Sequence, residues 1–187
     1  MPNTIKGYWA AIFSSVVNGL KGIDVDHSYI HEGIKFEYSE NFTLGTGTSK
    51  IISFTTPTTV SGKSVHFRPE LVSTSADKLK IELYEGDVIS GGSDKLTSIY
   101  NYNRQSTTTT SMQLFKTGTS QSTPGTKLLT SYIGGGTGVG QSKSGSETGP
   151  REEKLLAINT TYSLKFSNGS SGDNIINVIV SWYEQDS

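Results

Sequence analysis

The sequence predicts an all-β protein: an antiparallel β-sandwich of jelly-roll type, preceded by a short N-terminal helix. Three observations carry that expectation. From Gly33 onward apolar residues recur with a period of two, as in half-buried strands. Turn-forming residues separate these runs at the short spacings of a sandwich. The hydrophobic fraction is only 33%, with Ser, Thr and Gly in its place, which suits many turns and solvated faces better than a helical bundle.

The N-terminus carries the one helical pattern. Trp9, Ile12, Phe13, Val16, Val17 and Leu20 fall at i, i+3, i+4, i+7, i+8 and i+11, a single stripe of a 3.6-residue helix, and Gly19 and Gly22 supply stop signals. So short a helix is marginal alone in water, so its stripe must dock, either on its own domain or on a neighbouring subunit or shell. Residues 1–30 therefore read as a helix or arm and residues 31–187 as the sandwich. Between them lie His27 and His31, with Asp24, Asp26 and Glu32. Their spacing fits one helix face, but Gly22 and Gly33 bracket the segment and favour a turn, held by local hydrogen bonds that join it to the first strand. A metal bridging subunits is the second reading of these side chains.

The strands follow in order. Ile34, Phe36 and Tyr38 alternate with Lys35, Glu37 and Ser39. Residues 50–55 make a second strand, ended by Thr56-Pro57. Val65 and Phe67 alternate with His66 and Arg68, and Pro69 demotes that strand to an edge or a bulge. Leu79, Ile81 and Leu83 oppose Lys80, Glu82 and Tyr84 in the cleanest alternation of the chain. Weaker strands at 111–116 and 127–133 flank an expected turn over 118–126. Tyr162, Leu164 and Phe166 form the next strand, closed by the turn signal Asn168-Gly169. The last, 174–183, is apolar on both faces, as in a central covered strand with Trp182 in the core. Seven to nine strands result. The Thr run at 106–111 lacks an apolar face, and the Gly/Ser-rich stretch 134–150 reads as a long loop, exposed or ordered against a partner.

Charge and composition exclude several function classes. With 16 basic and 17 acidic residues the net charge is −1, so no electrostatic footprint for nucleic acid is expected. Cysteine is absent, which removes disulfides and thiolate metal sites. The apolar run at 8–19 is broken by Ser14 and Ser15 and preceded by Lys6 alone, a poor signal peptide. No stretch approaches the ~20 apolar residues of a membrane-spanning helix.

Chemistry-bearing motifs are equally sparse. Residues 58–64 end in Gly62-Lys63-Ser64, but Pro57 stands where a P-loop needs Gly, and strand-like residues follow where a helix must open. Gly134-Gly135-Gly136-Thr137-Gly138-Val139-Gly140 resembles a dinucleotide loop without the helix that fingerprint requires. His66 has no nucleophile beside it. Glu152 and Glu153 are flanked by Arg151 and Lys154, which predicts solvated charges. No enzyme and no cofactor is expected. Tyr100, Tyr102, Tyr132 and Tyr183 offer stacking surfaces for carbohydrate, although strand aromatics usually fill a sheet face. The sequons at Asn41, Asn159 and Asn168 are expected by chance in so Ser/Thr-rich a chain.

One resemblance covers most of the chain, from about residue 27 to 184. Its elements are His31-Glu32-Gly33 followed by Phe36; Phe54-Thr55-Thr56-Pro57; His66-Phe67; Leu83-Tyr84-Glu85; Asn101-Tyr102-Asn103-Arg104-Gln105-Ser106; the Gly134 loop; Glu152-Glu153; and Trp182-Tyr183-Glu184. In this order they resemble the head decoration (capsid auxiliary) proteins of tailed phages. The resemblance implies a non-enzymatic virion protein, made in the host cytoplasm, that binds the major capsid protein on the outer head surface. It implies no catalytic residue. A homo-oligomer, with a trimer favoured, suits threefold capsid positions. Asn101, Asn103, Arg104 and Ser106 then read as a polar turn held by side-chain to backbone bonds, with Arg104 free for a charge-assisted contact. The rival expectation is a host-recognition module of a tail fibre or tail tip that meets glycans.

Overall fold

A computed structural model describes residues 25–73, 79–133 and 153–186. The stripe Trp9, Ile12, Phe13, Val16, Val17 and Leu20, the loop 134–150, Glu152 and Asp24 lie outside these residues. Within them the chain forms helix α1 (Val25–His31) and eleven strands. These are β1 (Lys35–Leu44), β2 (Ser49–Thr55), β3 (Lys63–Ser73), β4 (Leu79–Glu85), β5 (Val88–Asp94), β6 (Tyr100–Asn101), β7 (Leu114–Thr123), β8 (Thr126–Ile133), β9 (Lys154–Leu156), β10 (Thr161–Asn168) and β11 (Asn174–Asp186).

Two antiparallel sheets result, one ordered β6-β1-β11-β3-β9 and the other β5-β7-β2-β10-β4-β8. Without β5, β6 and β7, the four strands β1-β11-β3-β9 face β2-β10-β4-β8, and the chain switches sheet at nearly every connection. That is the strand order of a jelly roll, so the all-β sandwich stands as the sequence predicts. The alternation assigns the inner faces. Phe36 and Tyr38 from β1, Phe67 from β3 and Val178, Val180 and Trp182 from β11 meet Ile52 and Phe54 from β2, Leu79, Ile81 and Leu83 from β4, and Tyr162, Leu164 and Phe166 from β10, all buried. At the centre Phe54 stacks on Phe67, Phe115 and Tyr162 at 5.0, 5.9 and 5.7 Å, and Trp182 stacks on Phe115 at 5.9 Å. Each ring removed from water stabilises by roughly 1.5–3 kcal/mol, before any gain from ring geometry.

Four local expectations change. The segment with His27 and His31 is a helix, not a turn, because Gly33 ends a helix there and does not prevent one. Gly33 has φ +70°, its N–H donates to Ile30 O, and Ile34 N–H donates to Tyr29 O, the paired bonds of a Schellman cap. The ring of Tyr29 then stacks on Tyr183 at 4.1 Å, which makes α1 part of the sandwich body. The strand with Pro69 is interior at one end and edge at the other. Val65, His66 and Phe67 pair with β9 as well as β11, whereas Pro69 pairs with Val180 and, among the described residues, has no neighbour on its other side.

The expected turn over 118–126 is strand as far as Thr123, with the reversal at Pro124-Gly125. Gly118 is instead a bend of positive φ within β7. The strand expected to begin at Ser111 starts at Leu114. The fourth change concerns β5, whose Gly- and Ser-rich residues have no apolar alternation and gave no signal.

Together β5 and β7 form a strap. Ile52 and Phe54 point into the core, so Ser53 between them points to the outer face of the six-stranded sheet. Ser53 and Ser163 are nonetheless fully buried, because the Thr119 hydroxyl lies 2.7 Å from that of Ser53, which in turn lies 2.8 Å from that of Ser163. Residues 119–123 of β7 pair with β5, and residues 114–117 also join β2 at the edge of the sheet. The ribbon therefore crosses the outer face and turns the edge of the sandwich. Gly92 (φ +80°) allows the bend, since a Cβ there would sit 2.6 Å from Thr119 Cγ2.

Both ends of the strap are fastened beside β4. The buried Asp87 carboxylate accepts from Gln121 Nε2 at 2.7 Å and from Gly125 N–H at 2.5 Å. Beyond the strap the same outer face carries Glu82, buried between β10 and β8, with Lys80 and Lys127 ammonium groups 2.8 and 2.7 Å from its carboxylate. Burial alone would raise the Glu82 pKa, but the hydrogen bonds and charges of Lys127 and Lys80 outweigh it and hold the group at about 2.

Candidate functional site

The outer face of the five-stranded sheet is built differently, and several residues that carry the resemblance gather at one end of it. The register sets Lys35 beside Tyr183 and His66, and in the next row Tyr100 beside Glu37, Ser181 and Arg68. Two carboxylates organise this end. Glu37 is buried and accepts from both Tyr100 and Tyr102 hydroxyls. Burial, followed by the hydrogen bond to Glu37, pushes the Tyr100 phenol up to about 12, so it stays a donor. The Lys35 ammonium lies 4.7 Å over the Tyr102 ring, and the Arg104 guanidinium 5.8 Å over that of Tyr100.

Glu153 is the second, and its environment corrects the expectation of a solvated charge. It accepts from Tyr183 Oη at 2.5 Å and pairs with His66 Nδ1 at 2.6 Å. Arg68 donates to it through Nε and Nη2 at 3.1 and 2.8 Å. These partners come from β3 and β11, far from Arg151 and Lys154 in sequence, so local charge could not reveal them. Burial works to raise the Glu153 pKa, but hydrogen bonds from Tyr183, His66 and Arg68 hold it below the usual carboxylate range. Burial and the Glu153 carboxylate push the Tyr183 phenol well above its ordinary value. His66 also stacks on Tyr183 at 4.4 Å.

Beside these clusters the motif residues form a braced corner. Asn101 Nδ2 donates to Gly33 O at 2.7 Å, and Asn103 Nδ2 to His31 O at 3.3 Å. Asn101 and Asn103 side chains accept from the backbone two residues on, and Ser106 Oγ accepts from Thr108 N–H. This is the polar turn expected of that motif. Gly33 is needed twice: for its positive φ, and because a Cβ would lie 2.5 Å from Ser106 Oγ.

Phe36 packs toward Trp182 with ring centroids 6.0 Å apart. The Trp182 indole donates to Glu184 at 3.1 Å, and the same buried carboxylate takes Ser111 N–H at 2.9 Å and Thr110 Oγ1 at 2.5 Å. The Thr run is therefore a loop whose backbone is bound by Glu184, which explains why its β propensity is not realised.

Other candidates stay apart from this end. Tyr84 and Glu85 lie on the opposite sheet, with Glu85 accepting from Tyr162 Oη at 2.5 Å. Tyr132 is 60% exposed on edge strand β8, far in register from Tyr100, Tyr102 and Tyr183. His27 and His31 stand exposed on α1. The near-P-loop enters a 3-10 turn at Thr59–Ser61 and then strand β3, with no helix for phosphate. Farther along the same outer face, Ser39, Asn41, Asn177 and Ile179 line a shallow groove of about 420 Å³. Among the described residues, then, the carboxylates Glu37 and Glu153 at the motif end are engaged by donors, an arrangement that makes a braced polar and aromatic surface. No helix among them is long and apolar enough to cross a membrane. Comparison with protein-family models, curated proteins and solved structures finds no match.

Proposed function

We propose that this chain is a non-enzymatic structural protein of a tailed-phage virion that binds the outside of the assembled head and decorates or reinforces it. Its partner is the major capsid protein, and a homo-oligomer, with a trimer favoured, places copies at symmetric positions. The supporting observation is the braced corner. The residues of the resemblance that gather there, from His31 to Glu184, bond to one another and stiffen a surface. Repetition of a modest contact over a symmetric shell then makes attachment strong through effective concentration.

The arm expected over residues 1–30, less α1, which packs on the sandwich through Tyr29, serves in this reading as the adhesive element through the stripe from Trp9 to Leu20. Purified protein mixed with undecorated heads should co-sediment at saturating occupancy. A variant lacking residues 2–22 should keep its β-rich circular dichroism and lose that binding. Wild-type protein that ignores heads, or gold label on tails, would sink the proposal; a truncated variant that still binds fully would remove only the arm.

A glycan-binding tail module is the second reading, favoured by the half-buried rings of Tyr100 and Tyr102 side by side over Glu37, whereas Tyr183 is buried beneath Tyr29. Its signature is selective binding on a glycan array that Tyr102→Ala abolishes.

A further inference from the structure

We propose that His27 and His31 form a two-imidazole site for a divalent transition-metal ion of the class of Zn2+, Ni2+ or Cu2+. Positions four apart on a helix stand above one another on one face. On α1 this brings the two Nε2 atoms within 3.0 Å, with ring centroids 4.5 Å apart and the planes at 74°. Both side chains are exposed. In the metal-free protein this contact is one N–H···N hydrogen bond, in which one imidazole donates and the other presents its lone pair. When both present lone pairs, rotation of the exposed rings can turn the same two atoms toward one shared point. At a metal–nitrogen distance of about 2.05 Å, the 3.0 Å separation corresponds to an N–metal–N angle of roughly 95°. That is near the cis angle of octahedral or square-planar coordination and a small ring rotation from tetrahedral.

The support beneath the pair separates it from two chance surface histidines. Tyr29 lies on the opposite side of the helix and stacks on Tyr183 at 4.1 Å. The cap at Gly33 closes the C-terminus, and Asn103 holds the His31 carbonyl. Both ligand backbones are therefore fixed before an ion arrives, which lowers the ordering cost of binding. The third histidine differs, since its Nδ1 is taken by Glu153. Among the described residues no further His, Asp or Glu completes a group of three with the pair. The ion keeps open positions for water, or for a donor from a second copy, and imidazole donors select the transition metals named over Mg2+ or Ca2+.

The test titrates the full-length protein with Cu2+ and reads nitrogen couplings by electron paramagnetic resonance. One ion per chain with two coupled nitrogens is expected, displaced by excess Zn2+. His27→Gln and His31→Gln should each weaken binding roughly tenfold or more and remove one nitrogen, while His66→Gln changes neither. Circular dichroism confirms that the exposed-site variants stay folded. Absence of binding at millimolar ion, or a two-nitrogen signal that survives in both His27→Gln and His31→Gln, overturns the proposal. Neither outcome depends on whether the protein attaches to heads.

Discussion

The two outer faces of this sandwich solve the same problem with different means. On the six-stranded sheet, small hydroxyls at Ser53 and Ser163 leave room for the strap, and Thr119 seals them from water. On the five-stranded sheet the motif end is covered by α1 and by its own large side chains. Its carboxylates also differ from that of the opposite face. Glu82 is answered by two ammonium groups, whereas Glu37 and Glu153 are answered largely by phenols, with His66 and Arg68 added at Glu153. The strapped face answers Glu82 with cations, and the motif end answers its carboxylates with phenols, an imidazole and a guanidinium.

The comparison breaks most sharply at Gly125. A Cβ there would lie 1.9 Å from Glu85 O, a backbone atom that cannot rotate away. Gly125→Ala should cost about 3 kcal/mol or more in denaturant unfolding and expose residues 86–125 to limited proteolysis. An unchanged midpoint would mean that the strap is not fastened there.

The next effect is a pH dependence specific to the strapped face. Glu82 sits at about 2 in the folded protein against an ordinary 4.5. Its folded value is depressed, so its contribution is complete above pH 4.5 and disappears as pH falls toward 2, a loss on the order of 2–3 kcal/mol. Glu82→Gln should flatten the stability profile in that window, measured as urea midpoints from pH 5 to 2. Parallel profiles for the two proteins would count against the lysine pairing.

Glu153→Ala, on the open face, should cost about 2 kcal/mol, because Tyr183, His66 and Arg68 lose their shared acceptor. Faster amide exchange at β9 and α1, with β5 and β7 unaffected, would mark the two faces as separate. Ser53→Ala should have the smallest effect, about 1 kcal/mol, confined to exchange in the strap. A larger loss at Ser53 than at Glu153 would reverse the ranking of the faces.

Much of the body was legible because it obeys a period of two: Phe36 and Tyr38, Ile52 and Phe54, Leu79 to Leu83 and Tyr162 to Phe166 are core residues at the positions their alternation gives. What escaped lacks that signal. In β5 the run Ser90-Gly91-Gly92-Ser93 has no apolar face because it joins β7 by backbone pairing at the edge of the sheet and its side chains stay exposed. The helical nature of residues 25–31 was obscured by reading Gly33 as a breaker when it is a cap. Glu153 was legible only as a charge among charges, since its three partners are assembled by strand pairing. The polar turn at Asn101 to Ser106 was readable because its hydrogen bonds are local.

The attachment points of the strap have a topological consequence. Glu85 pairs with Thr126, and Gly125 is bonded to Asp87, so residues 86–125 leave and return at one spot. In effect β4 and β8 form a plain hairpin whose tip has swollen into a detour, which also supplies β6 and the Asn101 turn. The detour is still woven into the body, because it supplies Phe115 to the central ring stack and Asn101, Thr110 and Ser111 to the braced corner. Its ends meet as a hairpin's would, but its middle is part of the core.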